Sequence, residues 1–557
     1  IDLDSGAQTK VASERSYSPV RAMTAQWSPD SRWLAYTVER TGVIRAVYAW
    51  SVARNESIAI TDGLSDMVEP VFDANGEFLY VLASTDAGPS RDWFSQINLD
   101  ARATYALYAI TLRSDGPDAN APQSDEVATG DAAPEAKSEA EPKTPTVRID
   151  AERIGDRIVA LPTGSGHRRA LAAGASGEVY FIDMAAPASA EGEAPAGELK
   201  RYHRDKRETK TLASGVAEYR LSKDGKRIAW RVGSDWFIAE VADSLPAGKG
   251  KVALDKLAVE IDPRAEWAQI LDEAWRINRD YFYATNYHGA DWPAMREKYR
   301  AFLPHLATRN DLDDVLRQMM SELAVGHSFL SPGDNAFAPA KVGVGLLGAD
   351  FAIEQDRYRF KRILGGLNWN PELRSPLRAP GVRVDEGDFL LAVDGVELRA
   401  DRSPYAALEG RAGRQVRLRV GPNPDGSGAR DVVVVPIDSE NALRYRDWVE
   451  GNLRYVTEKS GGRLAYVHVP DTAESGHASF KRYFYPQTDR QGLILDERFN
   501  GGGLVADYYI DTLRRPFVSR WVLRYGEDLA TPRGAIFGPK VMITDETAGS
   551  GGDLLPW

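Results

Sequence analysis

The chain has 557 residues, with 69 Lys and Arg against 81 Asp and Glu, a formal charge of -12, and 43% of it is hydrophobic; at roughly 150 residues per domain this predicts about three or four domains. The acidic balance and the lack of a long basic tract exclude nucleic acid as the main partner and count against anionic membrane surfaces, because both need clustered Lys and Arg. With no Cys anywhere, disulfides, thiolate nucleophiles and Cys-ligated metals are excluded, so a covalent nucleophile has to be Ser, Thr, Lys or a carboxylate.

No run reaches the roughly 18 to 20 apolar residues of a membrane span, so membrane insertion is not expected. The opening IDLDSGAQTK reads as the end of a repeat already under way, and the closing GGDLLPW stops where a helix should begin, so a piece of a longer chain is expected.

Residues 1–245 consist of short β-prone segments separated by turn chemistry, and one phrase recurs. Gln26 to Tyr36 (QWSPDSRWLAY) is echoed by Val71 to Tyr80 (VFDANGEFLY) and by Arg220 to Trp230 (RLSKDGKRIAW). Each copy leads an apolar residue into a tight Asp/Asn/Ser/Gly turn and out into an apolar strand, the pattern of a hairpin repeated in each blade of a partial β-propeller. Residues 114–146 interrupt this region with eight acids, two Lys, five Pro and a single large aliphatic residue, Val127. Such a stretch cannot bury enough apolar surface to fold and predicts a disordered acidic insert; residues 186–198 read in the same way. Lys200 to Lys210 (KRYHRDKRETK) is the one basic cluster, read as a solvated blade edge or as a dock for a peptide carboxylate.

Helical spacing takes over after Pro263. Trp267, Ile270, Leu271, Ala274, Ile277 and Tyr281 share one face, as do Leu312, Val315, Leu316, Met319 and Leu323 behind an expected Asn310 N-cap, giving a small helical region over 264–335. Residues 340–437 return to strands. Gly381 to Val396 alternates apolar residues around two Gly turns, followed by a helix-prone Pro404 to Leu408 and a strand at Gln415 to Val420. That order resembles a PDZ domain, a module that takes peptide C-termini by strand addition.

Residues 438–557 read as an α/β domain. Two buried strands, Gly492 to Asp496 and Lys540 to Asp545, each run into a Gly-rich turn that opens a helix: Asn500-Gly501-Gly502-Gly503 and Ala548-Gly549-Ser550-Gly551-Gly552. Strand ends of this kind are where α/β folds build their sites. Ser550 stands between two glycines at such a junction, which exposes a nucleophile. The Gly551 N–H at the helix start is aimed at a developing oxyanion, and the Gly501 to Gly503 turn is the source of a second donor. A plain Gly-rich turn and a Rossmann-type phosphate cradle are the other readings of this spacing; the acidic chain and the missing Gly-x-Gly-x-x-Gly weigh against the cradle.

A serine nucleophile needs a base, and there are seven His. His167 and His203 fall in the propeller, His288 and His305 flank helices, and His468 alternates within a strand. His327 follows the end of the Leu312 helix, where packing and the helix dipole favour a base. It is the first candidate, and His477, at the start of a helical segment, is the second.

Taken together, the propeller, the Asp280-Tyr281-Phe282-Tyr283 and His288-Gly289-Ala290-Asp291-Trp292 phrases, the Glu322 to His327 segment, the PDZ-like region, Asn500 to Gly503 and Ala548-Gly549-Ser550 resemble tricorn protease. More broadly the C-terminal half is similar to the carboxyl-terminal processing serine peptidases. The resemblance implies Ser550 as nucleophile, His327 as base, and oxyanion donors at Gly551 and in the Asn500 to Gly503 loop. It places an orienting Ser just before the His, where this chain has Gly326, so Ser328 is the possible substitute; the family's orienting Glu is expected beyond residue 557. It further implies oligopeptide substrates, a homo-oligomer, no metal or organic cofactor, and the cytoplasm, or the periplasm if a lost N-terminus carried an export signal. A propeller-bearing α/β-hydrolase peptidase would need its His after the serine, whereas all the His candidates precede Ser550. A catalytically idle peptide-binding scaffold is the non-enzyme alternative.

Overall fold

A computed structural model of the chain describes residues 1–13, 23–39, 44–86, 103–121, 145–186, 195–245, 248–333 and 341–557. It divides into two compact units, Ile1–Leu254 with Gly451–Trp557, and Asp255–Glu450.

In the first unit, strands Ala25–Trp27, Trp33–Glu39, Arg45–Ser51 and Glu56–Ala59 form a four-stranded antiparallel meander. A continuous nine-stranded ladder then runs from Asp66–Phe72 to Asp235–Glu240. Two long strands divide it into blades. Ile158–Ala173 pairs with Tyr105–Thr111 through its first half and with Glu178–Met184 through its second, and Glu208–Leu221 changes partner in the same way from Gly197–His203 to Arg227–Val232.

The recurring phrase is one turn built three times. Ser28 N–H donates to the Trp33 carbonyl, Asp73 N–H to Phe78 and Ser222 N–H to Arg227, each at 2.9 Å. The Ser28 and Ser222 hydroxyls reach Asp30 and Asp224 two residues on, at 2.7 and 2.6 Å, the side-chain bond that makes Asp and Ser turn formers. A fourth turn, at Gly174 to Glu178, is one residue shorter, closed by Gly174 N–H to the Glu178 carbonyl at 2.9 Å; it has no Asp or Asn and so escapes the sequence pattern. The same turns join neighbouring blades. Asp30 accepts from Val147 N–H at 2.7 Å, and the buried Asp73 accepts from Gly177 N–H at 3.0 Å and pairs with Arg204, whose guanidinium lies over the Phe78 ring.

Two expectations change here. Residues 122–144 of the acidic insert lie outside the described residues, but its N-terminal flank is ordered: Ala119 is buried in the blade core, Asn120 donates to the Ala160 carbonyl and Ser114 to Asp150. The basic cluster divides at its hairpin turn: Gly197–His203 is paired on both sides, whereas Glu208 to Lys210 pairs with that strand alone among the described residues and so lies at the blade edge. Most of its cations are already engaged: Lys200 meets Asp183 and Glu198, Arg201 and Lys210 share Asp243, Arg204 meets Asp73 and Arg207 donates to the Ala121 carbonyl, while Lys206 is exposed.

The second unit opens with helices Pro263–Tyr281, Trp292–Arg300 and Arg309–Ser321. Trp275 and Trp292 lock the first two together, each indole N–H donating to the other's carbonyl, at 2.8 and 3.0 Å. The third helix starts earlier than expected. Its N-cap is Thr308, in a capping box with Asp311, because the Thr hydroxyl and the Asp carboxylate satisfy each other's backbone donors while Asn310 already lies inside the helix. The PDZ-like sheet has the order Ala349–Glu354, Arg357–Ile363, Phe389–Val393, Val416–Gly421, Arg430–Val434. The Asp394-Gly395 turn, both residues at positive φ, folds Val396–Glu397 back on Phe389–Val393.

Helix Asn441–Ser460 runs across the division into the α/β part of the first unit. There, parallel strands Leu464–His468, Gly492–Asp496 and Lys540–Ile543 lie side by side in that order. Helices Glu474–Phe484, Ala506–Leu513 and Gly551–Leu554 follow strand ends, and Phe480, Phe484, Val505, Tyr509 and Leu555 share the core with the strands.

Asp73→Ala removes the acceptor shared by two blades and leaves Arg204 without its buried partner. Thermal or urea unfolding should show a loss on the order of 3 kcal/mol, whereas Asp224→Ala, at an exposed copy of the same turn, should cost under about 1 kcal/mol.

Candidate active site

Three loops meet at the C-terminal ends of the three parallel strands, and backbone hydrogen bonds tie them together. Gly501 N–H donates to the Pro470 carbonyl (3.0 Å), Thr472 N–H to Gly502 (2.8 Å), Val505 N–H to Thr472 (2.7 Å) and Gly549 N–H to Asn500 (3.1 Å). The first loop, Pro470 to Thr472, was not recognised in the sequence; the strand Tyr466 to Val469 was, and the rule that sites collect at strand ends would have pointed to it.

Ser550 sits at the crest of the third loop with φ 57 and ψ -118, a conformation costly for any residue with a Cβ. Asp545 shapes the approach, one carboxylate oxygen receiving Phe499, Thr547 and Ala548 N–H groups at 3.1 to 3.2 Å. Beyond Ser550 the chain enters helix Gly551–Leu554 and Leu555 drops into the core, which anchors the turn from below. The serine is exposed while Gly551 and Gly552 are buried.

The glycines are dictated by contact. A Cβ on Gly502 would lie 2.6 Å from the Ser550 Cβ, one on Gly551 2.0 Å from the Thr472 hydroxyl oxygen, and one on Gly503 2.3 Å from the Thr472 carbonyl. A Cβ on Gly501 would meet nothing within 4 Å.

The donors expected of the Gly501 to Gly503 turn are narrowed by these bonds. Gly501 N–H is spent on Pro470, and Gly502 N–H on the Asn500 side-chain oxygen at 2.9 Å. Among the described residues, the N–H groups of Gly551 and Gly503 carry no hydrogen bond.

A charged network supports the second loop from beneath. Asp496, fully buried, accepts the Arg498 guanidinium at 2.6 Å and the Tyr466 hydroxyl at 2.7 Å. Burial alone would raise its pKa, but Arg498 and Tyr466 outweigh it and hold the carboxyl below the ordinary range. His468, at the end of its strand, bonds through Nε2 to the Arg498 carbonyl at 2.9 Å, and burial pushes its pKa down. Glu497 behaves differently. It is fully buried, and neither carboxylate oxygen has a partner in good geometry among the described residues. Burial pushes its carboxyl up to about 7; the Thr544 side chain opposes this, and the charges of Asp553, Asp545 and Asp496 add to it.

His327 and Ser328 belong to the other unit, Asp255–Glu450. The expectation that a helix end holds the imidazole is corrected: the helix stops at Ser321, and His327 lies six residues further on in an exposed stretch at φ 58, its ring edge-on to Phe329. His477 is inside helix Glu474–Phe484 and buried, its ring against Tyr508.

Three family models match: the tricorn protease second beta propeller domain over residues 1–242, the tricorn protease C1 domain over 263–321 and the tricorn protease PDZ domain over 345–439. Tricorn protease homolog 1 of Streptomyces coelicolor is 32% identical over 551 residues, covering 95% of this chain and 50% of its own length. The tricorn protease of Thermoplasma acidophilum is 28% identical over 567 residues, covering 100% of this chain and 50% of its own. A crystal structure of the tricorn protease aligns with a TM-score of 0.81 at 25% identity, over 100% of this chain and 53% of that one. The fold is thus that of a multidomain propeller, PDZ and α/β protein. The chain belongs to the tricorn protease family, and it spans about half the length of the curated relatives it matches.

Two predictions follow from the site. Ser550→Gly and Ser550→Ala both lose the hydroxyl, but only glycine relieves the positive φ, so the Gly variant should be the more stable by about 1 kcal/mol in matched thermal melts. For Glu497, the folded carboxyl holds its proton more tightly than the unfolded one, whose ordinary value is 4.5. Its contribution is intact below that value and is lost as pH rises through about 7, a total of about 3 kcal/mol. Glu497→Gln should therefore raise the melting temperature at pH 8 and change it little at pH 4.5.

Proposed function

We propose that the chain carries the nucleophile and base of a serine peptidase acting on oligopeptides. Ser550 attacks the peptide carbonyl while His327 accepts its Oγ proton; the leaving amine takes that proton back, and water then hydrolyses the acyl-enzyme. The Gly551 and Gly503 N–H groups stabilise the oxyanion, and Ser328 orients the imidazole. The observation that carries this reading is the exposed serine on a strained strand-to-helix turn beside an unspent Gly551 N–H, the design that presents a nucleophile next to an oxyanion donor. Family membership supports the pairing with His327 and a homo-oligomeric, cytoplasmic enzyme.

Labelling of the full-length protein with a fluorophosphonate probe tests it. Wild type should label at Ser550; His327→Ala should slow labelling and peptide hydrolysis on the order of 1000-fold or more, and Ser550→Ala should abolish both. An unlabelled wild type that still binds peptides would instead identify a scaffold.

A further inference from the structure

The phrase His288-Gly289-Ala290-Asp291-Trp292 and the aromatic Phe282-Tyr283 before it have no part in the chemistry above, yet they build an unusual local structure. Tyr287, His288 and Gly289 are consecutive left-handed residues, at φ 49, 54 and 89. For the two residues with a Cβ this is a strained conformation, one that persists only when surrounding contacts over-determine it.

Those contacts all aim one imidazole. The His288 ring stands edge-on to Phe282 and Tyr283, at centroid distances of 5.2 and 5.3 Å. The Asn286 side chain caps His288 N–H, and the Tyr287 hydroxyl ties the turn back to the Arg279 carbonyl. Nδ1 lies 2.8 Å from the Leu323 carbonyl and Nε2 2.6 Å from the Tyr283 hydroxyl. A carbonyl can only accept, so Nδ1 carries the hydrogen, and in the neutral ring Nε2 accepts from Tyr283.

The Leu323 carbonyl is an orphan acceptor just past the end of helix Arg309–Ser321, a group that a helix terminus leaves without an internal partner. Leu323 itself is fully buried, and Glu322 beside it is held by Lys298 and by the Tyr299 hydroxyl. The chain then turns out through Ala324, at φ 46, and reaches His327 four residues after Leu323. The exposed His327 has no packed bed of its own, so the stem from Leu323 governs where it stands.

We propose that His288 is a positioning residue for the base: its Nδ1–H bond to the Leu323 carbonyl fixes the stem of the segment that presents His327. This rests on the reading of His327 as base. An Asn side chain places an N–H close to where Nδ1 is, whereas Gln reaches toward the Nε2 position, so the two amides separate the bond from mere bulk.

The test uses the full-length protein, with His288→Ala, His288→Gln, His288→Asn and His327→Ala side by side. In the Ala and Gln variants kcat should fall about 10- to 100-fold with KM changed less than about twofold, and backbone hydrogen exchange over residues 325–329 should speed up about tenfold. The Asn variant should recover most of both. Wild-type kcat and exchange in His288→Ala, or an Asn variant as impaired as Gln, overturns the positioning role while a dead His327→Ala leaves the base intact. A fully active His327→Ala overturns both readings.

Discussion

The close approach of three strand-end loops governs the α/β part of this protein. With Gly502 so near Ser550 and Gly551 so near Thr472 that a methyl group at either position would overlap its neighbour, the loops can meet only if glycine lines the seam. The backbone groups brought together then satisfy one another: the Asn500 carbonyl accepts from Gly549, the Gly502 carbonyl from Thr472 and the Thr472 carbonyl from Val505. That seam holds Ser550 in a conformation it would not adopt alone, since strain at one residue survives when several hydrogen bonds and a buried Leu555 oppose its relaxation. The helices that begin at Ala506 and Gly551 inherit their starting points from the same contacts.

Burial and charge are arranged around this seam in two ways. Asp496 is fully buried but meets Arg498 and Tyr466, so its charge is compensated and the second loop gains a rigid root. Glu497, one residue on, is equally buried without such a partner and sits among other carboxylates. The propeller has the compensated form at Asp66, held by Arg45 and Tyr105; Asp73 also meets Arg204 and Gly177, but burial outweighs them and raises its carboxyl pKa. An acid that closes a turn within one blade also receives a donor from the next, so the same side chain shapes the hairpin and joins the blades.

Much of this was legible from local chemistry. The repeated Asp/Ser/Gly phrase announced three blade turns because side-chain bonds within a turn depend on residues two apart. The fourth turn, at Gly174, closes through backbone alone and leaves no such mark. The Gly-rich strand ends announced Ser550 and its glycines for the same reason: exposure and close approach need small residues at fixed places. Less was legible where partners are distant in sequence. The basic run at Lys200 to Lys210 looks free until the folded ladder supplies Asp183, Asp243 and Asp73. The Asn310 cap was displaced because a Thr and an Asp three residues apart make a reciprocal pair that a single Asn does not.

By itself, then, the sequence determined the repeat architecture, the strand-to-helix junctions, the setting of Ser550 between glycines and the absence of thiol chemistry, since each follows from residue type and short spacing. Only the tertiary structure decided which glycine N–H groups remain unspent, that Thr472 and Pro470 belong to the site, that His327 stands exposed beyond its helix and that His288 reaches the Leu323 carbonyl. The physical reason is the same in each case: a hydrogen bond is spent or saved according to what lies opposite it, and the groups opposite come from loops tens of residues away that meet only when the chain is folded.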